Sequence, residues 1–150
     1  MYLINPTTVD YHRIPVFHLG LPQQSSYRVY GFGYDFASDD YKVVNLSRYR
    51  KGNIDTTFVD VYSVRMGLWR RLESLPYDDV LSERGGASGV LVNGVFHWMA
   101  SKASSLVIIG FDLSDEKFSR YQHLLIFMEM SWIGMNLGVL EGVFVCFVLY

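Results

Sequence analysis

The sequence predicts an all-β chain, a portion of a β-propeller made of four-stranded antiparallel blades. Three observations carry this prediction. Asn93-Gly94, between the β-prone runs 90–92 and 95–100, is the dipeptide that accepts positive φ at both central positions of a type I′ hairpin. The pattern Leu91-Val92-Asn93-Gly94-Val95-Phe96-His97 returns 48 residues later as Val139-Leu140-Glu141-Gly142-Val143-Phe144-Val145. Segments 5–11, 63–69 and 112–118 each end a strand on a polar residue and place an aromatic six positions on, so that Tyr11, Trp69 and Phe118 fall 58 and 49 residues apart. Two halves of one unit thus share a period near 50 residues, the length of a four-stranded blade. Helical architectures are excluded, because no run of about 12 or more residues keeps an apolar spacing of three and four without a Gly, a Pro or a β-branched stretch.

Taken in order, the chain opens with an apolar run at 1–4, a turn at Asn5-Pro6-Thr7-Thr8 and an extended path at 11–15, together a half-blade over residues 1–15. The first whole blade, 27–72, runs through Tyr30-Gly31-Phe32-Gly33-Tyr34-Asp35, a turn at Ser38-Asp39-Asp40, the strand Tyr41-Lys42-Val43-Val44, a loop at 47–53, and strands at 58–64 and 69–72. Residues 75–89, marked by Pro76, Asp78, Asp79, Gly85 and Gly86, form a long surface connection with room for a short helical turn around 80–84. The second whole blade, 89–122, has its hairpin at Asn93-Gly94, a loop at 101–105, a strand at 106–113, a turn at Ser114-Asp115-Glu116-Lys117 and a last strand at 118–121. Residues 136–150 form a second half-blade. The 19 residues 132–150 carry only Glu141 as a charge and approach the length of a membrane helix. Gly134, Gly138 and Gly142, the β-branched and aromatic content after Val139 and the central Glu141 instead specify a hairpin turning at Glu141-Gly142; a charge at the centre of a helix in lipid costs about 2.5 kcal/mol or more.

The result is a single domain over 1–150, kelch-like in its four strands per repeat and incomplete at both ends. Joining the two half-blades would give three blades, below the four to eight that close a propeller. The terminal strands are therefore expected to present unpaired edges that favour association.

Bulk composition narrows the function. A formal net charge of -2 excludes a strongly basic nucleic-acid footprint, and Arg48-Tyr49-Arg50-Lys51, followed by Gly52, reads as a solvated loop tip. The single Cys146, flanked by Val145 and Phe147, makes no intrachain disulfide and reads as a small buried thiol; with four scattered histidines it offers no zinc spacing. A reducing compartment, cytoplasmic or nuclear, follows as the expectation, with neither a secretory signal nor a membrane partner. His97 and Trp98 alternate across one strand, and His97 has no partner at catalytic or metal spacing, so it reads as structural. Asp39-Asp40 and Asp78-Asp79 read as turn caps rather than a calcium loop. Gly31-Phe32-Gly33 is too short for a dinucleotide fingerprint and reads as a place of close sheet approach. Ser63 and Ser88 lack a nucleophile-elbow setting. No catalytic residue, metal or cofactor is expected.

The ordered series Ile4-Asn5-Pro6-Thr7-Thr8 with Tyr11 and Pro15, Tyr30-Gly31-Phe32-Gly33-Tyr34-Asp35, Ser38-Asp39-Asp40-Tyr41-Lys42-Val43-Val44, Val61-Tyr62-Ser63, Trp69-Arg70-Arg71, Val92-Asn93-Gly94 with His97-Trp98, and Phe111-Asp112-Leu113-Ser114-Asp115-Glu116-Lys117-Phe118 resembles the plant F-box-associated interaction domain over nearly the whole chain. The resemblance implies a kelch-like propeller that recruits target proteins, while a separate F-box binds the Skp-type adaptor of a cullin-based ubiquitin ligase. This sequence starts directly in the Asn-Pro-Thr-Thr segment and stops at Tyr150, before the further strands usual in the family. The expectation is therefore a protein-binding module that is not an enzyme and does not by itself support ubiquitination, with adaptor binding only where an F-box precedes it. A kelch-type oxidase or glycan-acting propeller, and a non-functional truncated gene product, are the competing readings. Binding is expected at loop ends, with Arg48, Tyr49 and Arg50 in one loop and Tyr77 and Arg84 in another as contacts, since exposed Tyr and Arg favour interfaces.

Overall fold

The computed structural model of the chain describes residues 1–15, 27–51, 54–72, 79–80, 89–102, 105–123, 135–141 and 143–148. Every regular element among them is a β-strand. β1 (Tyr2–Ile4) and β2 (Tyr11–Arg13) form a hairpin. β3 (Tyr27–Asp35), β4 (Asp40–Lys51), β5 (Ile54–Ser63) and β6 (Leu68–Arg71) form the first blade in sequential antiparallel order. The second blade consists of β8 (Val90–Val92), β9 (Val95–Lys102), β10 (Ser105–Asp112) and β11 (Lys117–His123), joined on the β9 edge by the two-residue β7 (Asp79–Val80). β12 (Met135–Leu140) and β13 (Val143–Val148) form a closing hairpin. Two hairpins thus flank two larger sheets, and the inner strands follow one another in space, β3 against β8 and β8 against β12.

The repeat has a local physical cause. In four of the turns a polar residue ends the strand and the residue four positions on takes a left-handed φ: Asn5 with Val9 (62°), Asp35 with Asp39 (52°), Ser63 with Gly67 (68°), and Asp112 with Glu116 (52°). In each, the polar side chain accepts hydrogen bonds from the backbone it must turn, as with Asn5 Oδ1 and Thr7 N at 2.9 Å, Ser63 Oγ and Met66 N at 3.0 Å, and Asp112 Oδ1 with Ser114 N at 2.8 Å and Asp115 N at 2.9 Å. Asp35 Oδ1 does the same for Ala37 N at 3.0 Å. Side chains that satisfy the turning backbone while one residue reverses handedness make a short strand reversal. Asn93 (φ 50°) and Gly94 (φ 80°) form the two-residue turn between Val92 and Val95. Glu141 (φ 51°) opens the equivalent turn between Leu140 and Val143, so the hairpin reading of the C-terminal segment holds. Among the described residues no helix is long and apolar enough to cross a membrane.

Two expectations change. Strand β4 continues through Lys51, pairing Arg48 with Thr57, Tyr49 with Thr56, Arg50 with Asp55 and Lys51 with Ile54, so 47–51 is strand rather than loop. The β-branched residues Ile54, Thr56 and Thr57 supply the cross-strand partners. Within the connection 75–89, Asp79 and Val80 pair with Ser101 and Ala100, placing a strand where a helical turn was expected to begin; residues 81–84 lie outside the described set. β7 and β8 therefore share one edge of β9, since β8 pairs with 95–97 of the same strand.

Packing follows the alternation of each strand. On one face of the first blade Val29, Val44, Leu46, Val59 and Val61 meet Phe96, Trp98, Ala100, Val107, Ile109, Phe111 and Leu113 of the second, forming the main core between blades. On its other face Val43 and Tyr62 pack with Ile14, Leu3 and Trp69 of the N-terminal hairpin and outer strand. Gly31 and Gly33 let the inner strand approach the second blade. A Cβ at Gly31 would lie 2.9 to 3.0 Å from three atoms of the Phe96 ring, and one at Gly33 would lie 2.6 Å from Leu91 Cδ2. The reading of Gly31-Phe32-Gly33 as a site of close approach is borne out. Gly31→Ala is expected to lower the unfolding free energy by about 1–3 kcal/mol, the usual cost of overpacking, measured as a shift in denaturant midpoint; an unchanged midpoint would show that the Phe96 ring yields freely.

Candidate functional site

The two ends of the blades differ in construction, and the difference begins with turn length. At one end the short turns 36–39, 64–67, 93–94 and 113–116 gather. Here a buried polar cluster ties the blades together. Lys42 Nζ lies 2.8 Å from Asp35 Oδ2 and 3.0 Å from Glu116 Oε1, and donates to the Leu113 carbonyl at 2.8 Å. Ser114 Oγ donates to Asp35 Oδ1 at 2.7 Å, Ser38 Oγ donates to Asp35 Oδ2, and Arg70 pairs with the second Glu116 oxygen. Side-chain exposure is 8% for Lys42 and 1% for Asp35. Burial works to raise the Asp35 carboxyl, but the hydrogen bonds from Lys42, Ser38, Ser114 and the Ala37 amide outweigh it and hold the group well below the usual carboxylate range. Asp40 belongs to the same end: it accepts from Ser63 Oγ, and from Arg65 N at 2.9 Å, so it braces the neighbouring turn, while Asp39 accepts the Tyr34 hydroxyl. That hydrogen bond to Asp39 keeps the Tyr34 phenol above its ordinary range.

The opposite end carries the β4–β5 and β9–β10 turns. The chain enters β3 there, since Tyr27 pairs with Arg48, and leaves β11 there, since His123 pairs with Val107. Arg48 and Tyr49 occupy the last part of β4 and are half-buried. Alternation sends them to opposite faces of the blade, Arg48 with Val44 and Leu46 toward the second blade and Tyr49 with Val43 toward the N-terminal hairpin. The two neighbours therefore serve different surfaces. Arg50, also in β4, pairs with Asp55 of β5, and Tyr77 and Arg84 lie outside the described residues.

Chemical groups in the strands have structural partners. His97 Nδ1 stands 3.4 Å from the Val90 carbonyl, and burial lowers the imidazole below its ordinary range, keeping it neutral. Trp98, on the opposite face, is buried against Phe96. Asp60, buried beneath the outer strand, accepts from Arg71 Nε at 2.8 Å and from Asn45 Nδ2 at 3.2 Å, while the Arg71 guanidinium also lies 4.6 Å from the Phe58 ring centroid. Burial, followed by the charge of Asp40, raises the Tyr62 phenol. Among the described residues no group of three or more His, Cys, Asp or Glu side chains is placed to hold a metal ion. Cys146 lies in β13 opposite Leu137, and its side chain is outside the described set.

Sequence reasoning missed two features. The inter-blade cluster joins residues more than 70 positions apart in the chain, from Lys42 to Leu113 and Glu116 and from Asp35 to Ser114; the available signal was a lysine at an inward-facing strand position. The other is an uncovered aromatic group on the first blade, Phe32, Tyr34, Phe36 and Tyr41, whose rings stack or tilt against one another at centroid distances of 4.8 to 5.5 Å. Phe32 is 49% exposed, Tyr41 50% and Phe36 84%.

Residues 1–142 match the model of the F-box associated beta propeller domain. The chain is 33% identical to the F-box protein CPR1 of Arabidopsis thaliana over 93% of its own length and 39% of that protein. It is 38% identical to the F-box/kelch-repeat protein At3g23880 of the same plant, over 79% of the chain and 32% of that protein, and 29% identical to the F-box protein At4g22390 over 99% and 41%. It thus spans about a third to two-fifths of the length of these curated relatives. The ordered blades, their shared turn chemistry and the match over residues 1–142 place this chain in the F-box associated beta propeller domain family.

Proposed function

We propose that the chain is a protein-interaction module of the kind that recognises substrates for a cullin-based ubiquitin ligase, and that it binds its target at the end of the blades carrying the β4–β5 turn and the connections between blades. The observation that carries this reading is the asymmetry of the two ends. One is occupied by short turns and the Lys42 cluster, whose polar groups are used up in joining blades. At the other the chain enters β3 and leaves β11, and segments that join strands accept changes of side chain more readily than the strands themselves. Arg48, Tyr49 and Arg50 stand at that end, and Tyr77 and Arg84 fall in the connection between β6 and β8. The reading is of a binder rather than a catalyst, with ubiquitin chemistry left to partner subunits and adaptor binding to an F-box segment.

The test is affinity capture from plant extract with the full chain and with a variant combining Arg48→Glu, Tyr49→Ala, Tyr77→Ala and Arg84→Glu. Loss of hot-spot side chains costs about 2 kcal/mol or more, roughly thirty-fold in affinity, so the specific target is expected to disappear from the captured set while thermal unfolding stays cooperative. Undiminished capture by a folded variant would place the binding surface elsewhere.

A further inference from the structure

At the short-turn end, a serine from each of two blades reaches the same buried carboxylate. Ser38 Oγ, in the β3–β4 turn, and Ser114 Oγ, in the β10–β11 turn, both donate to Asp35, the latter at 2.7 Å across 79 positions of chain. Asp35 is buried, whereas Ser114 is an exposed residue of its turn, so this one side chain runs from solvent into the joint between the blades. Among the serines of the sequence only these two are followed by two acidic residues, in Ser38-Asp39-Asp40 and Ser114-Asp115-Glu116, and Ser38 is the less exposed of the pair. The charges of the joint are already matched. Lys42 Nζ spends its three protons on Asp35, Glu116 and the Leu113 carbonyl, and Arg70 pairs with the other Glu116 oxygen. Within its own turn Ser114 stands between Asp112, which accepts from Ser114 N and Asp115 N, and Asp115 itself, and Lys117 pairs opposite Asp112 in the sheet.

We propose that Ser114 is a phosphorylation site for a protein kinase directed to acidic sequences, and that a phosphate there unlatches the two blades at this end. The acidic pair directly after the serine offers such a kinase the charge complementarity by which a basic substrate groove selects. In the transfer Ser114 Oγ bonds to the γ-phosphorus of ATP, the bond from that phosphorus to ADP breaks, and the hydroxyl proton passes to the kinase's base. The proton that Ser114 donates to Asp35 is thereby lost, and a charge of about −1.5 to −2 takes its place. Asp35, Asp112, Asp115 and Glu116 surround it with like charge, and Lys42 and Arg70 can turn to it only by leaving the carboxylates they already hold. A hydrogen bond between blades becomes a repulsion. The apolar core around Phe96, Trp98 and Ile109 gains no charge, so the joint loosens while the strands persist. The site lies at the end opposite the proposed binding surface and does not rest on that reading.

The test treats the folded 150-residue chain with magnesium ATP and an acidic-directed serine kinase, maps the phosphopeptides by mass spectrometry, and compares thermal midpoints with and without treatment. The expected result is phosphate on Ser114 and a midpoint lower by about 5 °C or more. Ser114→Ala, which loses the hydrogen bond without gaining a charge, is expected to fall by less. Hydrogen exchange of the phosphorylated chain is expected to quicken at the amides of Ala37, Ser114 and Asp115, which Asp35 and Asp112 hold, while β9 keeps its protection. A chain that takes phosphate only at other residues, or none, overturns the proposal. So does a chain phosphorylated at Ser114 whose midpoint and exchange match those of Ser114→Ala.

Discussion

Replacing Lys42 with methionine is expected to remove about 3–5 kcal/mol of stability, the usual cost of breaking one partner out of a buried ion pair. The loss comes less from the attraction forgone than from what remains. Asp35, with 1% of its side chain exposed, would keep its charge with only the neutral donors Ser38, Ser114 and the Ala37 amide around it, and the Leu113 carbonyl would lose the lysine as a donor. Glu116 retains Arg70, so the deficit centres on Asp35. The pH dependence separates this cause from simple loss of packing. In the wild-type chain the Asp35 carboxyl is depressed below its unfolded value near 3.8, so its contribution is present above that pH and is lost as pH falls below it. In Lys42→Met the burial effect works without the lysine to oppose it, the carboxyl rises, and protonation relieves the folded state. The gap between variant and wild type is therefore expected to narrow as pH falls from 7 toward 4, and the double variant Asp35→Asn, Lys42→Met is expected to recover part of the loss. A pH-independent gap in denaturant unfolding would assign the loss to packing.

Phe96→Ala is expected to cost about 3–5 kcal/mol, as for other large aromatic truncations in cores. Phe96 has no exposed surface, lies against Trp98 at 5.4 Å between ring centroids, and fills the space left by Gly31 and Gly33. Because the ring and the glycines share one gap, their effects should not add. With Phe96 removed, the extra methyl of Gly31→Ala enters vacant space, and its separate cost of about 1–3 kcal/mol should vanish. Equal costs of Gly31→Ala in the two backgrounds would mean that the close approach of the blades is set by the backbone and not by this ring.

The contrast between these residues shows where the sequence was legible. Asn5, Asp35, Ser63 and Asp112 each accept a backbone hydrogen bond from two or three residues further on, capping a turn whose reversal needs one left-handed residue. Their spacing can be read along the chain. The Gly31-Phe32-Gly33 motif was legible for a related reason, since two glycines at alternate strand positions bare one face of a strand. By contrast, Arg48 to Lys51 looked like a basic loop because charge and proximity to Gly52 dominated the reading, whereas pairing with Thr57, Thr56, Asp55 and Ile54 keeps them in the sheet. Asp79 and Val80 are similar: their strand exists only because β9 has a free stretch of edge at Ala100 and Ser101.

The sequence by itself determined the strand count per unit, the handedness-reversing turns, the all-β class and the order of blades, because hydrogen bonding at a turn and alternation along a strand are local. Only the tertiary structure decided the rest: that Lys42 joins Asp35 to the 113–116 turn, that Arg48 and Tyr49 face opposite sides, and that Phe32 and Tyr41 are left uncovered. The physical reason is that burial, and with it the strength of every charge and ring contact, depends on which blade lies opposite, and that neighbour is supplied by residues tens of positions away.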